Sequence, residues 1–142
     1  SIEMISKTVT YNNLLTGEPV TEELWFHLRK DEIIRIMGRA KKDWDDYIKE
    51  MMSREDVDEI FDFVESILKM AYGERSEDGR TFRKDKKLQE DFANSEAYSE
   101  LFIDMITDAV SADGKETSKF FSALVGDPNK GTVPESVSKL KK

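Results

Sequence analysis

The sequence predicts a mainly α protein with an N-terminal β-hairpin, an α+β architecture. Three observations support this. Apolar residues alternate with period two only in the first 28 residues. From Lys30 to Val125 they recur instead at helical spacing. After Gly126 the chain turns to Gly, Pro and Lys with little apolar content. The expected organisation is an N-terminal hairpin over 1–29, a compact multi-helix bundle over 30–125, and a flexible basic tail over 126–142.

The hairpin comes first. Lys7-Thr8-Val9-Thr10-Tyr11 alternates with Val9 and Tyr11 on one face, and Leu24-Trp25-Phe26-His27-Leu28 with Leu24, Phe26 and Leu28 on one side. Asn12, Asn13, Gly17 and Pro19 between them are turn formers. A lone hairpin is marginal in water, so one face is expected to pack on the helices that follow.

Ile33, Ile34, Ile36 and Met37 form a short helical cluster weakened by Gly38. Ala40, Trp44, Tyr47, Ile48 and Met51 continue at helical intervals. Ser53 with Asp56 resembles a capping box opening the strongest helix. Its stripe is Val57, Ile60, Phe61, Val64, Ile67, Leu68 and Ala71, and Gly73 is a suitable stop. The stretch Tyr72–Lys84 is charged, holds two glycines and one large aromatic, and reads as a shaped loop rather than a tether. Leu88 and Phe92 mark a short helix. Ser95 can cap the next, whose stripe is Tyr98, Leu101, Phe102, Met105, Ile106 and Ala109. Asp113-Gly114 interrupts it, and Phe120, Phe121, Leu124 and Val125 make a last helical turn or two before Gly126.

Composition restricts function. The net charge is −8. The segment 126–142 sets Lys130, Lys139, Lys141 and Lys142 against Asp127 and Glu135, a net +2, so the preceding body carries −10 of the total −8. An acidic body disfavours nucleic acid and suits a basic or amphipathic partner. The absence of cysteine excludes disulfides, thiolate nucleophiles and Cys-based metal sites. No apolar run approaches the ~20 residues that span a bilayer, and no signal core opens the chain, so a cytosolic protein is expected.

Chemistry-bearing patterns are weak. His27 is the single histidine and cannot build a histidine-rich metal site. Carboxylate pairs such as Asp45/Asp46 and Asp58/Asp62 fall on expected solvent faces, whereas acid–base dyads need contrasting, partly buried environments. Glu74–Asp85 partly matches a calcium loop, with Glu74, Ser76, Asp78, Gly79 and Asp85 at positions one, three, five, six and twelve. Position one is normally Asp and position twelve Glu, and Arg75, Arg80, Arg83 and Lys84 surround the would-be cation. No phosphate-binding glycine loop, GxSxG elbow or HExxH is present. The expectation is a non-enzymatic protein with no cofactor and no metal. Its candidate partner-binding residues are Met51, Met52, Phe63 and Met70 on helices and Arg75, Arg80 and Phe82 in the loop. Adjacent methionines adapt to varied apolar partners.

Thr8-Val9-Thr10-Tyr11, Leu24-Trp25-Phe26-His27-Leu28, the string Tyr72-Gly73-Glu74-Arg75-Ser76-Glu77-Asp78-Gly79-Arg80-Thr81-Phe82 and the string Ser95-Glu96-Ala97-Tyr98-Ser99-Glu100-Leu101-Phe102 occur in this order. In this the chain resembles the siphophage tail assembly chaperone family, in its short, non-frameshifted form. The similarity covers roughly residues 7 to 125. It implies a protein without a catalytic centre that binds the tape measure protein, keeps it soluble and helps recruit tail tube subunits during tail morphogenesis. It also implies tail tube contact through a longer frameshifted form, a homo-oligomer, no nucleic acid or membrane partner, residence in the cytoplasm of the infected bacterial host, and absence from the mature virion. Two positions depart from the family pattern: Arg29 stands where a capping Ser or Thr is expected, and Val110–Ser118 is longer and more polar than an Ala-rich link. The alternative functions are another phage tail or head–tail connector protein, or a calcium-responsive module on Glu74–Asp85.

Overall fold

Alternation in the first 28 residues produces the hairpin. In the computed structural model, which describes residues 4–38, 40, 42–126 and 134–140, strand β1 (Ile5–Asn12) pairs antiparallel with β2 (Pro19–Phe26). The register runs from Ile5 opposite Phe26 to Asn12 opposite Pro19. Val9, Leu24 and Phe26 thereby share the buried face, while Thr8, Thr10, Thr21 and Glu23 share the exposed one. Asn13 shapes the connection. Its side-chain oxygen accepts from the amides of Leu15 (2.8 Å) and Thr16 (3.2 Å), and its own amide donates to the Glu18 carbonyl (2.8 Å).

The charged stretch after the strongest helix is not a loop. Tyr72–Arg75 (β3) and Phe82–Arg83 (β4) extend the sheet to four antiparallel strands in the order β1-β2-β3-β4. Trp25 faces Gly73 and Phe26 faces Tyr72 across the β2–β3 pair. Gly73 is therefore a strand residue rather than a helix stop; the backbone already leaves the helix at Tyr72, whose φ is −67° and ψ 140°. A β-carbon on Gly73 would lie 2.5 Å from the Arg83 carbonyl oxygen and 2.7 Å from the Phe82 ring, so only glycine admits β4 this closely. At the hairpin end the Asp78 carboxylate accepts from the Ser76 hydroxyl (2.6 Å) and the Arg80 amide (3.0 Å), and Gly79 takes a φ of +72°.

Four of the helices start at three aspartates and one serine. Helix α1 is Lys30–Met37, α2 Trp44–Ser53, α3 Val57–Ala71, α4 Lys86–Ala93, α5 Glu96–Ile106, α6 Lys115–Val125 and α7 Glu135–Ser138. Asp43, Asp56, Asp85 and Ser95 cap α2 to α5 by accepting from the amide three residues on, at 2.8–3.1 Å. Ser53 ends α2 instead of opening α3, so the expected box over Ser53 and Asp56 gives way to Asp56 alone. At Arg29 no side chain accepts from the first-turn amides, and only the reciprocal half of a capping box forms: the Glu32 carboxylate accepts from the Arg29 amide at 2.9 Å. Between α5 and α6, Thr107–Ser111 widens into a π-helical turn. It places the Asp108 carboxylate 2.8 Å from the Thr117 amide. Helix α6 has three turns rather than the expected one or two. Most of the expected tail, 126–142, lies outside the described residues; α7 is the helix within 134–140.

Hairpin and helices share one core. Val9, Leu24, Phe26, Leu28, Ile33, Trp44, Ile67, Leu68, Phe92, Leu101 and Phe121 are all buried in it. Phe26 meets Tyr72, Phe92 and Phe120 edge-on at 6.0, 6.0 and 5.3 Å. Complete burial of one such ring contributes about 2–3 kcal/mol. Polar groups carried into the core are paired. The Trp44 indole donates to the Phe121 carbonyl at 2.7 Å, and the Thr117 hydroxyl donates to the Met105 carbonyl at 2.9 Å.

Candidate partner-binding surfaces

An apolar cleft with an acidic rim opens between α1, α2 and α3. Ile36, Tyr47, Met51, Phe63 and Ile67 line it, as do Asp56, Asp58, Glu59 and Asp62, and its volume is about 640 Å³. The residue types follow from α3's own amphipathicity: its core stripe leaves Phe63 at the edge and the acids of its first turns outside. Helix-start acids are favoured by the exposed amides there. The aromatic wall is held from behind. Trp44 stacks on Tyr47 at 6.3 Å, Tyr47 lies 6.2 Å from Phe63, and Phe63 meets the buried Phe121 edge-on at 5.2 Å. Two of the four carboxylates are already engaged, Asp56 as the α3 cap and Glu59 with Arg54 at 2.9 Å. That pairing raises the Arg54 guanidinium above its ordinary pKa through the Glu59 hydrogen bond. Asp58 and Asp62 form no ion pair among the described residues. They lie one turn apart on the rim, so the cleft offers a greasy floor and uncompensated negative charge.

The open face of the sheet forms a second surface. Arg75 lies over the Trp25 ring at 4.4 Å, and Phe82 meets His27 edge-on at 6.0 Å. Arg80 is exposed in the β3–β4 turn. The sequence thus marked Arg75, Arg80 and Phe82 as neighbours of one loop; the β2–β3–β4 pairing turns Arg75 and Phe82 into part of a sheet face with Trp25 and His27, while Arg80 stays in the turn.

The methionines separate. Met51 is 2% exposed, its side chain forming part of the core and of the acid-rimmed cleft's floor rather than a protruding contact. Met52 lines a different cleft beside the π-helical turn, and Met70 is half-buried against the core. The carboxylates of the would-be calcium loop diverge. Glu74 pairs with Arg83 at 3.1 Å, Asp78 closes the turn, and Asp85 caps α4. Among the described residues no group of three or more His, Asp or Glu is placed to hold a metal ion.

Sequence reading missed two features. The acidic rim was legible as charge but not as a rim, because the Asp58/Asp62 pair acquires its meaning only from Tyr47 and Ile36 across the cleft. The second is a buried ion pair. The Lys84 side chain is 4% exposed, and its ammonium donates to the Glu32 carboxylate and to the His27 carbonyl, the latter at 2.9 Å. Burial lowers the Lys84 pKa, and the Glu32 hydrogen bond opposes that shift. The pair locks β4 to the start of α1.

A family model described as phage tail assembly chaperone matches residues 4–129. No curated protein and no solved structure matches the chain. Among the described residues no helix is long and apolar enough to cross a membrane.

Proposed function

Because the chain belongs to the phage tail assembly chaperone family, we propose that it works without catalysis, binding the tape measure protein and keeping it soluble while tail tube subunits are recruited. The observation that carries this is the cleft between α1, α2 and α3. An apolar floor of Ile36, Tyr47, Met51, Phe63 and Ile67 under the carboxylates of Asp58 and Asp62 suits an amphipathic helix with lysines or arginines along its borders. A long helical client offers many such segments in series, so weak binding at each site sums over many copies. The acidic body accelerates encounter with a basic client and keeps the coated complex soluble. Arg75 and Phe82 on the open sheet face and Arg80 in the adjoining turn, with Met52 and Met70, complete the proposed contact set. Action takes place in the host cytoplasm, with the protein left out of the mature virion.

The test is co-expression with the tape measure protein followed by recovery of soluble complex. Asp58→Lys with Asp62→Lys should cut recovery tenfold or more while leaving the fold intact, since both side chains are exposed. Asp58→Asn with Asp62→Asn should weaken capture less and flatten its salt dependence. Phe82→Ala and Met52→Asp probe the other surfaces. Undiminished recovery with the charge-reversed cleft removes the cleft from the reading. Detection of the protein in purified virions would favour a connector role instead.

A further inference from the structure

We propose that the free edge of β1 takes an extended segment of a different protein as an added strand, one that sets a carboxylate beside Lys7. The phase of the hairpin hydrogen bonds fixes what this edge presents. The Asn13 amide donates to the Glu18 carbonyl at 2.8 Å, so Asn13 and Glu18 form a bonded pair. Bonded and unbonded pairs alternate along an antiparallel ladder. Ser6–Trp25, Thr8–Glu23, Thr10–Thr21 and Asn12–Pro19 are therefore the unbonded pairs. The other side of β2 gives the same phase. The His27 amide donates to the Ala71 carbonyl at 2.9 Å, so Trp25, two residues back, also bonds toward β3. Pro19, with no amide hydrogen to give, suits the unbonded place it occupies.

The backbone N–H and C=O groups of Ser6, Thr8, Thr10 and Asn12 thus point away from β2, and none of them is hydrogen-bonded among the described residues. Thr8, Thr10 and Asn12 are exposed. Strand β1 runs for 8 residues, whereas β4, the opposite edge, has 2. A row of donors and acceptors repeating at about 7 Å is matched along its length only by another extended backbone.

Lys7 decides which backbone fits. It is the sole charged residue of β1 and faces the helices, its ammonium 5.6 Å from the centre of the Phe120 ring. It is half-buried and forms no ion pair among the described residues, although the chain has an excess of acids. An inward-facing lysine on an edge strand resists indiscriminate pairing. A strand with Asp or Glu at the facing position turns that resistance into an attractive cross-strand pair. The β1 strand of a second copy offers no such group, since Ile5–Asn12 contains no acid. The edge and the α1–α3 cleft share no residue, so the inference stands whether or not the cleft holds the tape measure protein.

The test uses the full chain, isotope-labelled for NMR, and the end-capped peptide Val-Thr-Glu-Thr-Val-Thr-Val-Thr. With peptide bound, the amides of Ser6, Thr8, Thr10 and Asn12 should exchange with solvent about tenfold more slowly or better. Those of Lys7, Val9 and Tyr11, already bonded to β2, should change far less. Replacing the peptide's glutamate by lysine should weaken binding about fivefold to tenfold, and Lys7→Glu in the protein should reverse that order. A peptide methylated on every backbone nitrogen should not bind. No binding up to about 1 mM peptide, protection without the alternation, or equal affinity for the glutamate and lysine peptides would each overturn the proposal. So would protection of the same amides by protein concentration alone, which would give the edge to a second copy.

Discussion

Replacing Gly73 by alanine tests whether the charged segment after α3 is held as a strand. The added β-carbon would stand 2.5 Å from the Arg83 carbonyl oxygen, 2.7 Å from Lys84 Cγ and 2.7 Å from the Phe82 ring. Ordinary contact begins near 3.4 Å, so β4 must retreat by up to roughly 0.9 Å, the difference between 3.4 and 2.5. The nearest obstacle is backbone, which cannot rotate away as a side chain can. Overpacking of this kind costs about 1–3 kcal/mol. Weakened β3–β4 hydrogen bonds add about 0.5–1.5 kcal/mol. Reduced freedom of the unfolded chain offsets about 0.4–1 kcal/mol. The net expectation is a loss of about 0.5–4 kcal/mol, or a Tm lower by about 2–12 °C for a domain of this size. Urea unfolding followed by circular dichroism measures it. Gly79→Ala is the companion, because nothing lies within 4 Å of a β-carbon there and only the φ of +72° opposes it; its loss should be about 1 kcal/mol. An unchanged or raised midpoint for Gly73→Ala would refute the close approach of β4, and with it the sheet.

Three further outcomes follow from buried polar groups. Lys84→Met leaves the Glu32 carboxylate short of a buried partner and should cost about 3 kcal/mol, with much of that recovered by adding Glu32→Gln, which keeps an acceptor for the Arg29 amide; no recovery in urea unfolding would argue against the pair. Thr117→Val removes the hydroxyl that donates to the buried Met105 carbonyl and should cost about 1–2 kcal/mol in thermal unfolding, whereas a neutral change would mean that carbonyl is satisfied otherwise. Burial pushes the Tyr98 phenol up to about 12 from 10.0, with Glu65 adding to the shift. The folded protein keeps that proton longer than the unfolded chain, so this contribution is complete below pH 10 and is lost as pH rises through about 12. Tyr98→Phe should flatten the stability profile across that window, and ultraviolet titration should show the late phenol; a Tyr98 that ionises near pH 10 would contradict its burial.

The helical body was legible because each helix carries its own evidence. The stripe from Val57 to Ala71 and the cap at Ser95 are local signals, and local signals survive folding when packing agrees with them. Misreadings occurred where partners are distant in sequence. Tyr72–Arg75 has no apolar alternation to advertise a strand; its strand character comes from Trp25 and Phe26. Ser53 and Asp56 compete for the same role, and the break between α2 and α3 falls after Ser53. Met51 and Met52 look equivalent in sequence, yet a helical step of 100° sends one into the core and the other toward the π-helical turn.

Composition and periodicity alone determined that this protein is mainly helical, acidic and opened by a hairpin, because those properties depend on residues close together in the chain. The tertiary structure decided which apolar residues remain accessible and which acids gather on a common rim. A cleft is defined by elements that meet across space, and no local pattern records that Ile36 and Tyr47 face Asp58 and Asp62. The same holds for Lys84 and Glu32, whose attraction across 52 positions of chain exists only after β4 has closed on α1.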